Sequence, residues 1–323
     1  MNSLIQTVKR ILNPPAPQVA ETRVKPAKRS ILHMFDPMPN NSPFDVNMAL
    51  DAGFDVLMPY ANVKLDSVTR LTQDAIFSRS LSGVKRTAIF IGGRDIGLAV
   101  DMLEACASAM TPPFQVSALA DPSGAYTTAA ALVACVEKGL RQGFDLPLAG
   151  RKVLVFGGTG PVGLASAVIA ALQGAETTIV DHLSLDSALD LSKQYHHRFN
   201  ANLHGAVAQN NEQKAALLAD AEVVFCTAKA GVRVLSTALL AEAKALKVVG
   251  DVNAVPPSGI EGVNLRDFAT PLPELAKTLA VGALAVGDVK YKTQQALLQS
   301  LLTGDAPRFL DFRAAFDQAR SLV

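Results

Sequence analysis

From residue 30 onward, short apolar runs alternate with longer stretches that read as helices. The runs at 31–35, 55–60, 87–91 and 114–119 are bounded by Pro, Gly or polar residues, as buried strands are. Residues 43–52, 66–79 and 95–107 are the helices between them. Ser42-Pro-Phe-Asp45 forms a capping box with Pro at the first helical position, and Gly53 stops that helix. Asp66 reads as the cap of the next one, and Asp121-Pro122 begins a longer helix through 127–140. The alternation resumes near residue 148, with strands at 152–156, 177–181, 222–227 and 246–251 and helices at 161–173 and 185–195. Two helices, 289–302 and 309–322, close the chain, the first with a stripe of Leu297, Leu298, Leu301 and Leu302. Such alternation predicts βαβ units and mostly parallel sheets. We therefore expect an α/β protein of two domains, with the C-terminal helices packing back on the first.

Residues 1–29 stand apart. Leu4, Ile5, Val8, Ile11 and Leu12 have helical spacing, Asn13-Pro-Pro-Ala-Pro17 breaks it, and 23–29 is basic. A secretory signal needs a continuous apolar stretch, which is missing; an organelle transit segment fits less well than a plain N-terminal extension.

Composition narrows the classes. Of 323 residues 49% are hydrophobic and 18% charged, enough apolar material for a large core and too little charge for a disordered chain. Thirty Lys and Arg against 29 Asp and Glu leave a net charge of +1, so nothing points to nucleic acid. No apolar run reaches the ~18 residues that span a bilayer. Cys106, Cys135 and Cys226 are odd in number and widely spaced, which fits buried thiols in a reducing, cytoplasmic setting. His33, His182, His196, His197 and His204 form no metal-ligand spacing, and no metal is expected.

Gly158-Thr159-Gly160-Pro161-Val162-Gly163 follows a strand and opens a helix. Gly158 suits the tight turn, Gly160 lets backbone amides approach a pyrophosphate, and Gly163 lets helix and strand pack closely; the helix N-terminus adds partial positive charge. The pattern reads as a Rossmann site for a nicotinamide or flavin dinucleotide, with a purely structural glycine turn as the alternative. Asp181 ends the next strand, where a carboxylate accepts from a ribose 2′-hydroxyl and repels a 2′-phosphate, so NAD is favoured with NADP use left open. Helix capping is the alternative role for Asp181. His182, Thr227, Ala228, Ala230, Asp251 and Asn253 lie at or just beyond strand ends, where further nucleotide contacts are expected.

The remaining half contains no Gly-x-Ser-x-Gly elbow and no acyl-transfer set. Several of its strings, however, resemble one family. Ser30-Ile-Leu-His-Met34, the run from Ser42 to Ala49, Gln73-Asp-Ala-Ile-Phe-Ser-Arg79 and Ile89-Phe-Ile-Gly-Gly93 are similar to methylene-tetrahydromethanopterin dehydrogenases of methylotrophic bacteria. So are Ala120-Asp-Pro-Ser-Gly-Ala-Tyr-Thr-Thr128, the run from Gly250 to Ile260 and the run from Gly282 to Tyr291. The resemblance runs from about residue 29 to the C-terminus.

It implies oxidation of the methylene bridge of 5,10-methylene-tetrahydromethanopterin to the methenyl cation, with hydride passing to NAD or NADP, in formaldehyde oxidation. It also implies a homo-oligomer of three or more copies, and a pterin domain at 30–145 plus about 289–323 beside a Rossmann domain at 146–288. Hydride leaves a carbon between two nitrogens whose lone pairs stabilise the product cation, so no acid/base pair is needed. Lys290 matches the family's active-site lysine; without the resemblance it reads as a solvated surface lysine. Asp45 matches a family aspartate but doubles as the capping-box acid. Gln294 stands where some members have His, which removes any imidazole chemistry. Asp121 is either an N-cap or a substrate contact, and Gly124, Thr127 and Thr128 follow it as candidate pterin contacts. Tyr60-Ala-Asn-Val-Lys64 imitates the Tyr-x-x-x-Lys pair of methylene-tetrahydrofolate dehydrogenases, but its surroundings do not resemble that family. The alternatives are the same reaction on tetrahydrofolate and a non-catalytic NAD(H)-binding regulator.

Overall fold

A computed structural model describes residues 28–273, 275–303 and 306–323. The amphipathic segment at 1–12 and the break at 13–17 lie outside the described residues. The first half runs β1 (Ile31–Phe35), α1 (Pro43–Asp51), β2 (Val56–Tyr60), α2 (Leu65–Phe77), α3 (Leu81–Val84), β3 (Thr87–Ile91), α4 (Ile96–Ser108) and β4 (Ser117–Ala120). A single 3₁₀ turn, Pro122–Gly124, leads into α5 (Ala125–Phe144). The second half runs β5 (Lys152–Phe156), α6 (Pro161–Leu172), β6 (Glu176–Asp181), α7 (Leu185–Phe199), β7 (Leu203–Val207), α8 (Asn211–Leu218), β8 (Val223–Cys226), α9 (Thr237–Glu242) and β9 (Val248–Asp251). The chain ends with β10 (Phe268–Leu272), β11 (Leu275–Val281), α10 (Ala283–Ser300), β12 (Phe309–Leu310) and α11 (Phe312–Leu322).

Two sheets result. The first has strand order β12-β4-β3-β1-β2 and is parallel throughout. The second has order β10-β11-β9-β8-β5-β6-β7 and is parallel except for the β10–β11 pair. Period-2 alternation divides the residues of the second sheet between two cores. Val153, Val155, Val223 and Phe225 join the core that also holds the buried residues of β1, β3 and β4. Leu154, Phe156, Val224 and Cys226 join a separate core on the other side.

Helix α5 follows β4 of the first sheet in the chain and packs on the second. It packs on α6, α10 and α11 and against β9, β10 and β11. Its approach to β9 requires Gly250, where a Cβ would come within 2.6 Å of the Leu132 side chain. Glu137 on α5 is buried and accepts two hydrogen bonds from Arg320 of α11, at 2.8 and 2.9 Å, while Arg320 also donates to Gln173 at the end of α6. The C-terminal helices thus pack back on the first half, as expected.

Several expectations are corrected. Strand 114–119 is shifted to Ser117–Ala120, and the helix expected at 289 starts at Ala283. Gly287 sits inside α10 with open space where a Cβ would be. Residues 309–310 pair with β4 rather than starting a helix. Ser42 makes no side-chain cap, and Asp66 lies inside the first turn of α2 with Lys64 at the cap position. Asp95 does cap α4, accepting from Gly97 and Leu98 amides.

The buried ion pair sets a stability expectation. Glu137→Ala leaves the partly exposed Arg320 with Gln173 alone and should cost about 2 kcal/mol in urea denaturation. Arg141→Ala, which removes the exposed partner of the same carboxylate, should cost under about 0.5 kcal/mol.

Candidate active site

The dinucleotide cradle forms where β5 turns into α6. Gly157 has φ +74°, and a Cβ there would lie 2.7 Å from the backbone of Ala228, so Gly157 makes the tight turn expected of Gly158. Gly158 instead packs against β6, where a Cβ would meet Ile179. At Gly163 a Cβ would fall 2.4 Å from the Gly157 carbonyl and 2.6 Å from Thr227 Oγ1, the close helix–strand contact the motif requires. Gly160, the N-cap of α6, has no side-chain cap, and only one carbonyl lies within 4 Å of where its Cβ would be. That leaves uncapped amides facing open space, a fit for a pyrophosphate.

A cavity of about 510 Å³ lies here, at the carboxyl ends of β5, β6 and β8, with Thr159, Gly160, Asp181, His182, Thr227 and Ala228 in its walls. Thr159 Oγ1 donates to Asp181 Oδ2 at 2.8 Å, and the Leu183 and Ser184 amides donate to Oδ1. Burial opposes ionisation of Asp181, but these donors outweigh it and hold the carboxyl below its usual range. Pro161, Val162 and Ala230 are not among the cavity walls. Nor are Asp251 and Asn253, which brace the loop after β9: Asp251 accepts from the Asn253 and Ile260 amides, and Asn253 accepts from Gly231 and Val255.

A second cavity, of about 530 Å³, opens beside the first sheet; Phe44, Asp45, Gly124, Thr128, Lys290 and Tyr291 are among its walls. Lys290 lies against Gly124, where a Cβ would come 3.4 Å from its Cε. Its Nζ donates to Gln294 Oε1 one turn along α10 and sits 3.7 Å from the centroid of the Phe44 ring, a cation–π contact. Gln294 is fully buried, and its Nε2 donates to Asp45 Oδ1 at 2.8 Å. The acid of the supposed capping box is therefore turned toward α10, joined to Lys290 through Gln294.

Asp121 is fully buried at the end of β4 and accepts from the Tyr126 and Thr127 amides and the Thr127 hydroxyl. It thus caps α5 and faces Lys290 at once. Thr127 lies behind it, fully buried, while Thr128 Oγ1 donates to the Gly124 carbonyl.

The electrostatics follow from burial. Asp45 is pushed up to about 7 by burial and by the Asp121 and Asp36 carboxylates, against the Gln294 hydrogen bond and the Lys290 charge. Burial also pushes Asp121 up, opposed by Lys290 and its hydrogen-bond donors. Lys290 is pulled down by burial, opposed by both carboxylates. Tyr60 bonds His33 Nδ1 at 3.0 Å, and neither Tyr60 nor Lys64 lines either of these cavities. Phe44, Tyr291 and Asp36 were not singled out from the sequence; Phe44 and Tyr291 are each next to a candidate, which is the one local signal they carry.

A glycine cradle on one parallel sheet and a charged cleft on another define a two-domain oxidoreductase of the dinucleotide-dependent class. The family model described as methylene-tetrahydromethanopterin dehydrogenase, N-terminal, matches residues 43–123. The NAD(P)-dependent methylenetetrahydromethanopterin dehydrogenase of Methylorubrum extorquens is 43% identical over 291 residues, covering 90% of this chain and 98% of that protein. A bifunctional protein, MdtA, from the same organism is 33% identical over 273 residues, covering 84% and 92%. The chain belongs to the methylene-tetrahydromethanopterin dehydrogenase family.

The raised Asp45 makes stability depend on pH. Its carboxyl binds a proton more tightly in the folded chain, so its contribution is full below 3.8 and is lost as pH rises to about 7. Asp45→Asn should therefore be more stable than the parent at pH 8, by on the order of 4 kcal/mol, with the gain vanishing below about pH 4 in urea titrations.

Proposed function

We propose that the protein oxidises 5,10-methylene-tetrahydromethanopterin to the methenyl form. The observation that carries the reading is the Lys290–Gln294–Asp45 relay, with buried Asp121 beside it, in a cleft wide enough for a pterin. The nicotinamide of a bound NAD(P) supplies the hydride acceptor. The chain's own residues hold the donor and set the field around it. Lys290 donates to a ring carbonyl or positions the ring. When Asp45 is ionised it gives a negative potential that favours charge developing between the two nitrogens. Gln294 passes orientation between the two without exchanging a proton itself. Gly124 and Thr128 line the ring's path, and the backbone around Gly157 to Gly163 takes the pyrophosphate.

Finer points belong to the same reading. Asp181 favours NAD, supported by its ionised state at the end of β6. Residues 30–145 with about 289–323 are the pterin domain and 146–288 the dinucleotide domain. A cytoplasmic homo-oligomer of three or more copies rests on the family resemblance, and light scattering tests the assembly.

The direct experiment is methenyl formation by purified protein, offering methylene-tetrahydromethanopterin and methylene-tetrahydrofolate each with NAD and with NADP. Turnover mainly with the methanopterin is expected; dinucleotide binding without turnover on either pterin would favour the regulator. Lys290→Ala should lower kcat/KM by about 10²–10³ while NAD affinity moves far less. Asp181→Ser should raise the NADP/NAD ratio of kcat/KM by about tenfold, because a like charge leaves the ribose.

A further inference from the structure

The dinucleotide cavity has two unlike walls. On one, Asp181 is ionised and held in its turn by three hydrogen bonds. On the other stands Lys214 of α8, half-buried, with its Nζ making one hydrogen bond, to the Val234 carbonyl at 2.8 Å. Of the other cations in the cavity walls, Arg233 faces Glu261, and Lys229 is exposed to solvent. Among the described residues Lys214 has no such carboxylate. A half-buried ammonium with donors to spare and no counter-charge suits an anion supplied from outside.

Its place in the cavity says which anion. Gln209 Nε2 donates to the Leu183 carbonyl at 3.0 Å, and its amide donates to Gln213 Oε1 at 2.7 Å. Leu183 is two residues past Asp181, and Gln213 immediately precedes Lys214. Gln209 therefore ties the turn that holds Asp181 to the helix that carries Lys214. This is the ribose end of the cavity, away from the glycine turn where the pyrophosphate belongs.

We propose that Lys214 is a specificity-determining residue that admits a ribose 2′-phosphate opposite the Asp181 wall. The proposal rests on the dinucleotide reading above and deepens it. A 2′-hydroxyl needs an acceptor and finds Asp181; a 2′-phosphate needs a cation and finds Lys214, with the exposed His182 at the tip of the turn. The two walls let one cavity take either nucleotide, and their balance sets the preference.

Titration calorimetry with 2′,5′-ADP and 5′-AMP, which differ only in the 2′-phosphate, tests this on the full chain, with NAD titrated in parallel. In K214Q the affinity for 2′,5′-ADP relative to 5′-AMP should fall at least about tenfold, and K214R should restore most of it. An equal loss for both fragments, or no loss, would overturn the role of Lys214 while NAD binding kept the dinucleotide reading intact. A parent protein that bound neither NAD nor 5′-AMP would overturn both.

Discussion

Asp45 and Lys290 line one cleft with Asp121 fully buried beside it, and burial works against the charge of all three. Asp45 and Asp121 are held together with Lys290 because each offsets part of the desolvation of the others. Remove the lysine and two acids face each other in a site that solvates neither well. Remove an acid and the ammonium loses one of the two negative charges that favour its protonated form. The balance leaves Asp45 titrating near neutrality, so the cleft gains a negative charge within the range where metabolism runs. For a reaction whose transition state develops positive charge, that is the useful sign.

The rest of the fold serves that balance. Asp45 comes from α1, Asp121 from the end of β4, and Lys290 and Gln294 from α10, which enters only after the whole second sheet has been built. Their meeting requires α10 to return across α5, which also packs against β9, β10 and β11. The single-residue contact of Gly250 with Leu132 and the Glu137–Arg320 pair hold that arrangement at its far end. The cleft is therefore a product of long-range packing, although its residues lie in short, readable strings.

This explains which features were legible. The glycine turn was, because positive φ and close approach are demands that only glycine meets; which glycine makes the turn was not, since it depends on Ala228 across the sheet. Strands β7 and β10 escaped notice for local reasons: β7 carries His204 and Gly205, and β10 is an edge strand containing Pro271. Asp45 was ambiguous because its neighbours spell a cap, and the deciding partner, Gln294, is 249 residues away. Lys290 looked like a surface residue until the family resemblance singled it out. Lys214 gave no local signal at all, because only the tertiary fold shows that it lacks a counter-charge.

The central claim is that ionised Asp45 assists hydride loss, and the single-turnover rate of methenyl formation between pH 5.5 and 8.5 tests it most directly. The account predicts a rate that is half-maximal near pH 7 and levels toward about pH 8 in the parent, and a slower, pH-flat rate in Asp45→Asn. The same titration persisting in Asp45→Asn would assign the pH dependence to another group and contradict the account.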